Sequence, residues 1–136
     1  MTATGTVAGV GWRRRFGYRV GAALVLSVLL NVVLVGVATA AGVAPGFRPI
    51  AVAPVAFLSA VGVVGAAGTY LVLDRFSDAP GRPFRLVAVA VLVLSFVPDV
   101  RLLSADPAAT VPGVVVLMIM HVVVAAVCLS LLPDGR

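Results

Sequence analysis

Apolar residues in this chain come in long unbroken runs separated by short polar knots, with none of the alternation that marks a half-buried strand. Residues 20–41 and 50–73 carry no charged side chain, and 111–132 are interrupted only by His121. A helix needs about 20 apolar residues to cross ~30 Å of hydrocarbon, so each run is long enough. A further run, LVAVAVLVLSFVP, holds only thirteen uncharged residues between Arg85 and Asp99. At ~1.5 Å per residue it reaches roughly 20 Å and stops short. Two remedies exist: Arg85 snorkels outward along its stem, or the helix continues through Pro98 and Asp99 to Leu103. A re-entrant segment is the alternative. The pattern predicts spans at about 19–41, 50–73, 84–103 and 111–132, an all-α four-helix transmembrane bundle.

The connections GVAPGFRP, DRFSDAPGRP and SADPAATVPG are short and rich in Pro and Gly. Short connections force neighbouring helices to pack as antiparallel hairpins. FRPI and GRPF place proline where a helix starts, a position at which its missing N–H costs nothing. The region 1–11 has no apolar period and reads as a tail. The domain plan is therefore a cytoplasmic tail (1–15), a membrane domain (16–133) and a short cytoplasmic tail (134–136).

Charge sets the orientation. Arg13, Arg14, Arg15 and Arg19 precede the first span; Arg75, Arg82 and Arg85 lie between the second and third; Arg136 ends the chain. Arg48 and Arg101 fall on the opposite side. With both termini inside, eight arginines face the cytoplasm and two face out, in keeping with the positive-inside rule. Trp12, Phe16, Tyr18, Tyr70 and Phe76 suit an aromatic belt at that inner boundary. WRRRFG resembles a twin-arginine start and Ala38-Thr39-Ala40 a cleavage site. A signal core is only about 7–15 residues, however, so the first run is expected to remain as a span.

Composition agrees with a lipid solvent. The 136 residues are 62% hydrophobic and 11% charged, with a mean hydropathy of +1.19; soluble domains carry roughly 25% charged residues. The net charge of +5 does not point to nucleic acid, because the arginines punctuate apolar runs instead of forming one basic face. The single cysteine, Cys128, excludes an intramolecular disulfide. The expected surroundings are the lipid bilayer of the cell membrane, with a homo-oligomer or a larger membrane complex as the protein partners.

Lipid gives helices little reason to bury Leu or Val against each other, so small residues and interhelical hydrogen bonds decide packing. In SAVGVVGAAGT, Ser59, Gly62 and Ala66 share one helix face, and Gly65 pairs with Thr69 one turn on. That stripe is the expected helix-packing surface, within the bundle or between copies. Depth places a second group. His121 lies eleven residues before Leu132, about 17 Å in. Asn31 lies twelve residues after Arg19, about 18 Å in, and Ser95 ten after Arg85, about 15 Å in. Asp99, one turn beyond Ser95, is expected nearer the outer surface. Ionisable groups in a membrane are costly and turn towards the bundle interior or a watery cavity. Asn31, Ser95, Asp99 and His121 are thus the candidate polar pocket; structural hydrogen bonding among Asn, Ser and a neutral His is the other reading. Met118, Met120, His121 and Cys128 are soft or borderline ligands, but Cys128 sits two turns from His121, about 10 Å along the axis, so no metal or cofactor is expected.

The stretch FRLVAVAVLVLSFVPD, followed by a short loop and the His-centred helix LMIMHVVVAAV, resembles a family of small four-span bacterial and archaeal membrane proteins known as a domain of unknown function. The resemblance covers roughly 20–132. Its most specific features are Arg85, the Ser95-x-x-Pro98-Asp99 group and the Met120-His121 pair. It implies an integral membrane protein and supplies no activity. The chain also has the size of small multidrug exporters, but those place a glutamate in the first span and this chain has none. Paired glutamates, phosphate-binding Gly loops and nucleophile elbows do not occur. The expectation is a non-enzymatic structural or accessory membrane subunit; alternatively, a small transporter or channel-like protein working through an Asp/His pocket.

Overall fold

The computed structural model describes residues 4–133. Four helices carry it: α1 (Thr4–Ala40), α2 (Val52–Phe76), α3 (Gly81–Ala105) and α4 (Val111–Leu131), with one 3-10 turn (Arg48–Ile50) ahead of α2. Each has an apolar stretch long enough to cross a membrane. α3 settles the length problem of the third run. It spans 25 residues, about 37 Å at the helical rise, by running through Pro98 and taking in polar residues at both ends. Proline lacks the N–H that would bond back four residues, so the Leu94 carbonyl loses its helical donor and the helix tolerates this one gap.

α1 differs from the expectation of a tail over 1–11. The chain is helical from Thr4, because no proline precedes Pro45 and Gly9 and Gly11 are tolerated once a long helix has nucleated. Residues 1–3 and 134–136 lie outside the described residues.

α1 packs against α2 and α4, and α4 against α3, whereas α2 and α3 touch little. The bundle is therefore a row, α2–α1–α4–α3, folded round so that its two ends leave a gap. The tightest seam joins two stripes spaced by about one turn. Ala23, Ser27, Asn31, Val35 and Ala38 of α1 are buried, as are Val55, Ser59, Val63, Ala67 and Tyr70 of α2. Rows of i, i+4 residues interlock between helices in this way.

Two apolar clusters cap the bundle. One joins Phe16, Ala23, Val63, Ala67, Tyr70, Phe84, Val127, Cys128 and Leu132. The other joins Val35, Ala38, Ala44, Phe47, Ile50, Val55, Leu117 and Met120. The first lies at the end where α1 begins and α4 finishes, and there Arg19 donates to the Pro133 carbonyl at 3.4 Å. An aromatic ladder runs through it: Trp12 stacks on Phe16 at 5.6 Å, Phe16 on Tyr70 at 5.6 Å, and Tyr70 meets Phe84 edge-on at 5.3 Å. Phe16 and Tyr70 are thus interior residues and not part of a belt, whereas Tyr18 and Phe76 are exposed. Large aromatic rings satisfy themselves by stacking where three helices converge.

The start of α4 is fixed by a cap. Thr110 is extended, and its hydroxyl accepts from the Gly113 N–H at 3.1 Å. Thr110→Ala should destabilise the fold by about 1 kcal/mol, the usual worth of such a cap. Reversible SDS denaturation in mixed micelles would measure this, and an unchanged midpoint would show the cap to be idle.

Candidate functional site

Between the two apolar clusters lies a polar layer. Asn31 is 1% exposed and donates from Nδ2 to Ser59 Oγ at 2.9 Å and to the Met120 carbonyl at 3.3 Å. It ties α1 to α2 and α4 at one level, beside His121. Ser27, one turn earlier on α1, is fully buried, and its Oγ has no hydrogen-bond partner among the described residues. Ser27 is absent from the set drawn from sequence. The signal that marks it is its spacing of four from Asn31, which puts both polar side chains on the small-residue face of α1.

Asp99 meets His121 across α3 and α4, with Oδ2 3.1 Å from Nδ1. The same Nδ1 is 2.9 Å from the Leu117 carbonyl. A carbonyl can only accept, so this contact assigns the ring proton to Nδ1, and in the neutral ring Nε2 is left as an acceptor. One N–H cannot point at two acceptors with good geometry. It serves Leu117, which leaves Asp99 Oδ2 at ion-pair distance yet without a hydrogen bond. Asp99 is 6% exposed, whereas the His121 side chain is 41% exposed.

Asp99 therefore meets His121 side chain to side chain, although the rise per residue places the two about one turn apart. Ser95 is the group that falls out of the layer's bonding; its hydroxyl donates to the Leu92 carbonyl of its own helix at 2.6 Å. A flat count of rise per residue ignores helix tilt and side-chain reach, and one turn, about 5.4 Å, is within what those two cover.

All four candidate residues, Asn31, Ser95, Asp99 and His121, border one cavity of about 680 Å³ in the gap between α2 and α3, with α4 at its back. Leu58 and Val61 on one lip and Val87 and Val91 on the other are exposed, so it opens through the side of the bundle. Ser59, Gly62, Gly65 and Ala66 form its α2 wall. Of that stripe, Ser59 is buried in the layer. Gly62 faces α4 closely enough that a Cβ there would lie 3.2 Å from Val124. Gly65 looks onto open space. The tight seam of α2 is the adjacent stripe through Val63 and Ala67, which meets α1.

Cys128 also borders the cavity, on the same helix as His121 and two turns along. No group of three His, Cys, Asp or Glu side chains able to hold a metal ion occurs among the described residues. The chemistry on offer is hydrogen bonding and proton holding by a carboxylate, an imidazole and an amide inside an apolar enclosure.

An all-helical chain whose four helices are each long and apolar enough to span a bilayer, with polar side chains turned into an internal cleft, is a small membrane protein. It belongs to the family of unknown function DUF6069, whose family model matches residues 9–135. No curated protein and no solved structure matches it.

Proposed function

We propose that this chain is a non-enzymatic, multi-pass protein of the cell membrane, a small transporter or channel-like bundle with the α2–α3 cleft as its working site. The observation that carries the reading is the Asp99–His121 pair at 3.1 Å on the wall of a cavity that also meets Asn31 and Ser95. Polar groups of this kind are expensive at membrane depth, and they mark ligand or proton pathways when they face a cavity. Both termini lie in the cytoplasm on this reading. Seven of the described arginines then sit on the inner side, at the end of the bundle where α1 begins and α4 finishes, and Arg48 and Arg101 sit outside.

The test is flux from reconstituted vesicles carrying a pH-sensitive dye. Wild-type vesicles should move protons faster than empty ones under an imposed gradient, and Asp99→Asn should abolish the difference while the protein still folds and inserts. Equal traces for protein and empty vesicles would remove the transport reading.

A second reading, a structural or accessory subunit, is favoured by α3. Only 6% of its apolar window is buried, against 22–28% in the other helices. Leu86, Val89, Val93, Val97 and Val100 form an exposed stripe on it that a helix of another chain or a second copy would cover. Purification from the native membrane should then return a partner in fixed ratio, and recovery of the chain alone would count against it.

A further inference from the structure

The charges of this chain are unevenly shared between the two ends of the bundle. At the end where α1 begins and α4 finishes, Arg13, Arg14, Arg15, Arg75, Arg82 and Arg85 are all exposed, and none of them is in an ion pair among the described residues. Each lies within five residues of a ring in the Phe16–Tyr70–Phe84 ladder that ties α1, α2 and α3 together. Arg19, which donates to the Pro133 carbonyl, adds a seventh arginine. Asp74 and Asp78 are the only described acids there, whereas the other end has Arg48, Arg101 and Asp106. Excess positive charge orients a membrane protein, but orientation asks nothing of the surface beneath each charge. Here that surface is patterned. Arg14 and Tyr18, Arg82 and Leu86, and Arg85 and Val89 are spaced i, i+4, so each pair shares a helix face with the apolar member one turn deeper. On α2, which runs the other way, Leu71 lies one turn deeper than Arg75. All four apolar members are exposed.

We propose that this end of the bundle is a binding surface for anionic phospholipid, with phosphate on the arginines of α1, α2 and α3 and acyl chains along the exposed side chains one turn deeper. A guanidinium grips phosphate through two parallel N–H···O bonds. Exposed Tyr18 and Phe76 suit the headgroup level. A phospholipid offers phosphate above hydrocarbon, the same order that each of these helix faces presents. An acidic protein surface or a soluble anion matches only the upper half. Each arginine near an anionic membrane surface raises the affinity about fivefold. The inference depends neither on the cleft nor on transport.

The protein in neutral detergent micelles is titrated with phosphatidylglycerol and, separately, with phosphatidylcholine of the same acyl chains, while native mass spectrometry counts the lipids bound. Phosphatidylglycerol should saturate at a concentration at least about tenfold lower. Arg14→Gln/Arg82→Gln should weaken it by at least about tenfold and leave the SDS denaturation midpoint in neutral micelles unchanged. Arg15→Gln/Arg85→Gln should weaken it as much, a second reading should the first pair fold poorly. Arg48→Gln/Arg101→Gln removes the same charge from the other end and should change the affinity by less than about twofold. Equal binding of the two lipids, or an unchanged affinity in both pairs at this end, would overturn the proposal. So would equal losses in the variants of the two ends, which would reduce the preference to net charge. Displacement of bound phosphatidylglycerol by inorganic phosphate or a polyaspartate peptide at equal concentration would mark a site for a water-borne anion and overturn it too.

Discussion

The His121→Leu variant is expected to unfold at a lower SDS fraction than wild type by about 1–3 kcal/mol, and His121→Leu with Asp99→Leu to recover most of that loss. The reason is asymmetry. Asp99 is nearly buried, and its Oδ2 lies 3.1 Å from the His121 ring with no hydrogen-bond partner among the described residues. Removing the ring leaves a carboxyl group in an apolar enclosure with nothing to offset its desolvation, which costs ~1–3 kcal/mol and more when charged. Removing both groups replaces a poorly bonded pair with two apolar side chains, a change often close to neutral. The 41% exposure of the His121 side chain argues for the lower part of the range. Reversible denaturation of the wild type, both single variants and the double variant in mixed micelles closes the cycle. If the double variant is no more stable than His121→Leu alone, the pair does not act as a unit and its 3.1 Å approach is incidental.

How much of this architecture the sequence discloses depends on the physics behind each feature. Lipid contact is legible because it needs only length and the lack of charge, and the helices over Val52–Phe76 and Val111–Leu131 follow closely the apolar runs that announce them. The polar layer is legible to within a turn, since rise per residue is nearly constant; Asn31 and His121 come out level, and the Asn31–Met120 bond reflects this. Which faces meet is much less legible. Helices that are apolar all round give no moment to point inwards, so the stripe through Ser59, Gly62 and Ala66 stands out for its small residues, although the seam with α1 runs through Val63 and Ala67 beside it. The same ambiguity moves Phe16 and Tyr70 from the interface to the interior, because an aromatic near a helix end suits either place. The cleft itself has no sequence signal. It exists because α3 packs along α4 and only lightly on α2, a difference of pairing between surfaces of similar composition.

The largest effect expected from a single added methyl group is at Gly113, in the first turn of α4. A Cβ there would lie 2.8 Å from Ala44 Cβ, 3.1 Å from Thr110 Oγ1 and 3.4 Å from Phe47 Cδ1. The closest of these is a backbone-tethered methyl that cannot rotate away, and Ala44 belongs to a turn held at φ 49°, between Gly42 at 68° and Gly46 at 79°. Gly113→Ala should therefore lower stability by about 1–3 kcal/mol, the usual cost of overpacking, although alanine is the better helix former by up to ~1 kcal/mol. Ala44→Gly should rescue it. That change deletes the opposing methyl and relieves an alanine in the left-handed region, a strain of roughly 1–2 kcal/mol, while giving up about 0.8 kcal/mol of burial. On its own it should be near neutral. The pairing ties the α1–α2 connection to the head of α4 and so sets how α4, with His121, stands against α1 and Asn31. Comparing Gly113→Ala with Gly113→Ala/Ala44→Gly in the same denaturation assay isolates the contact. A double variant as unstable as the single one would mean that the methyl clash is not what makes glycine necessary there.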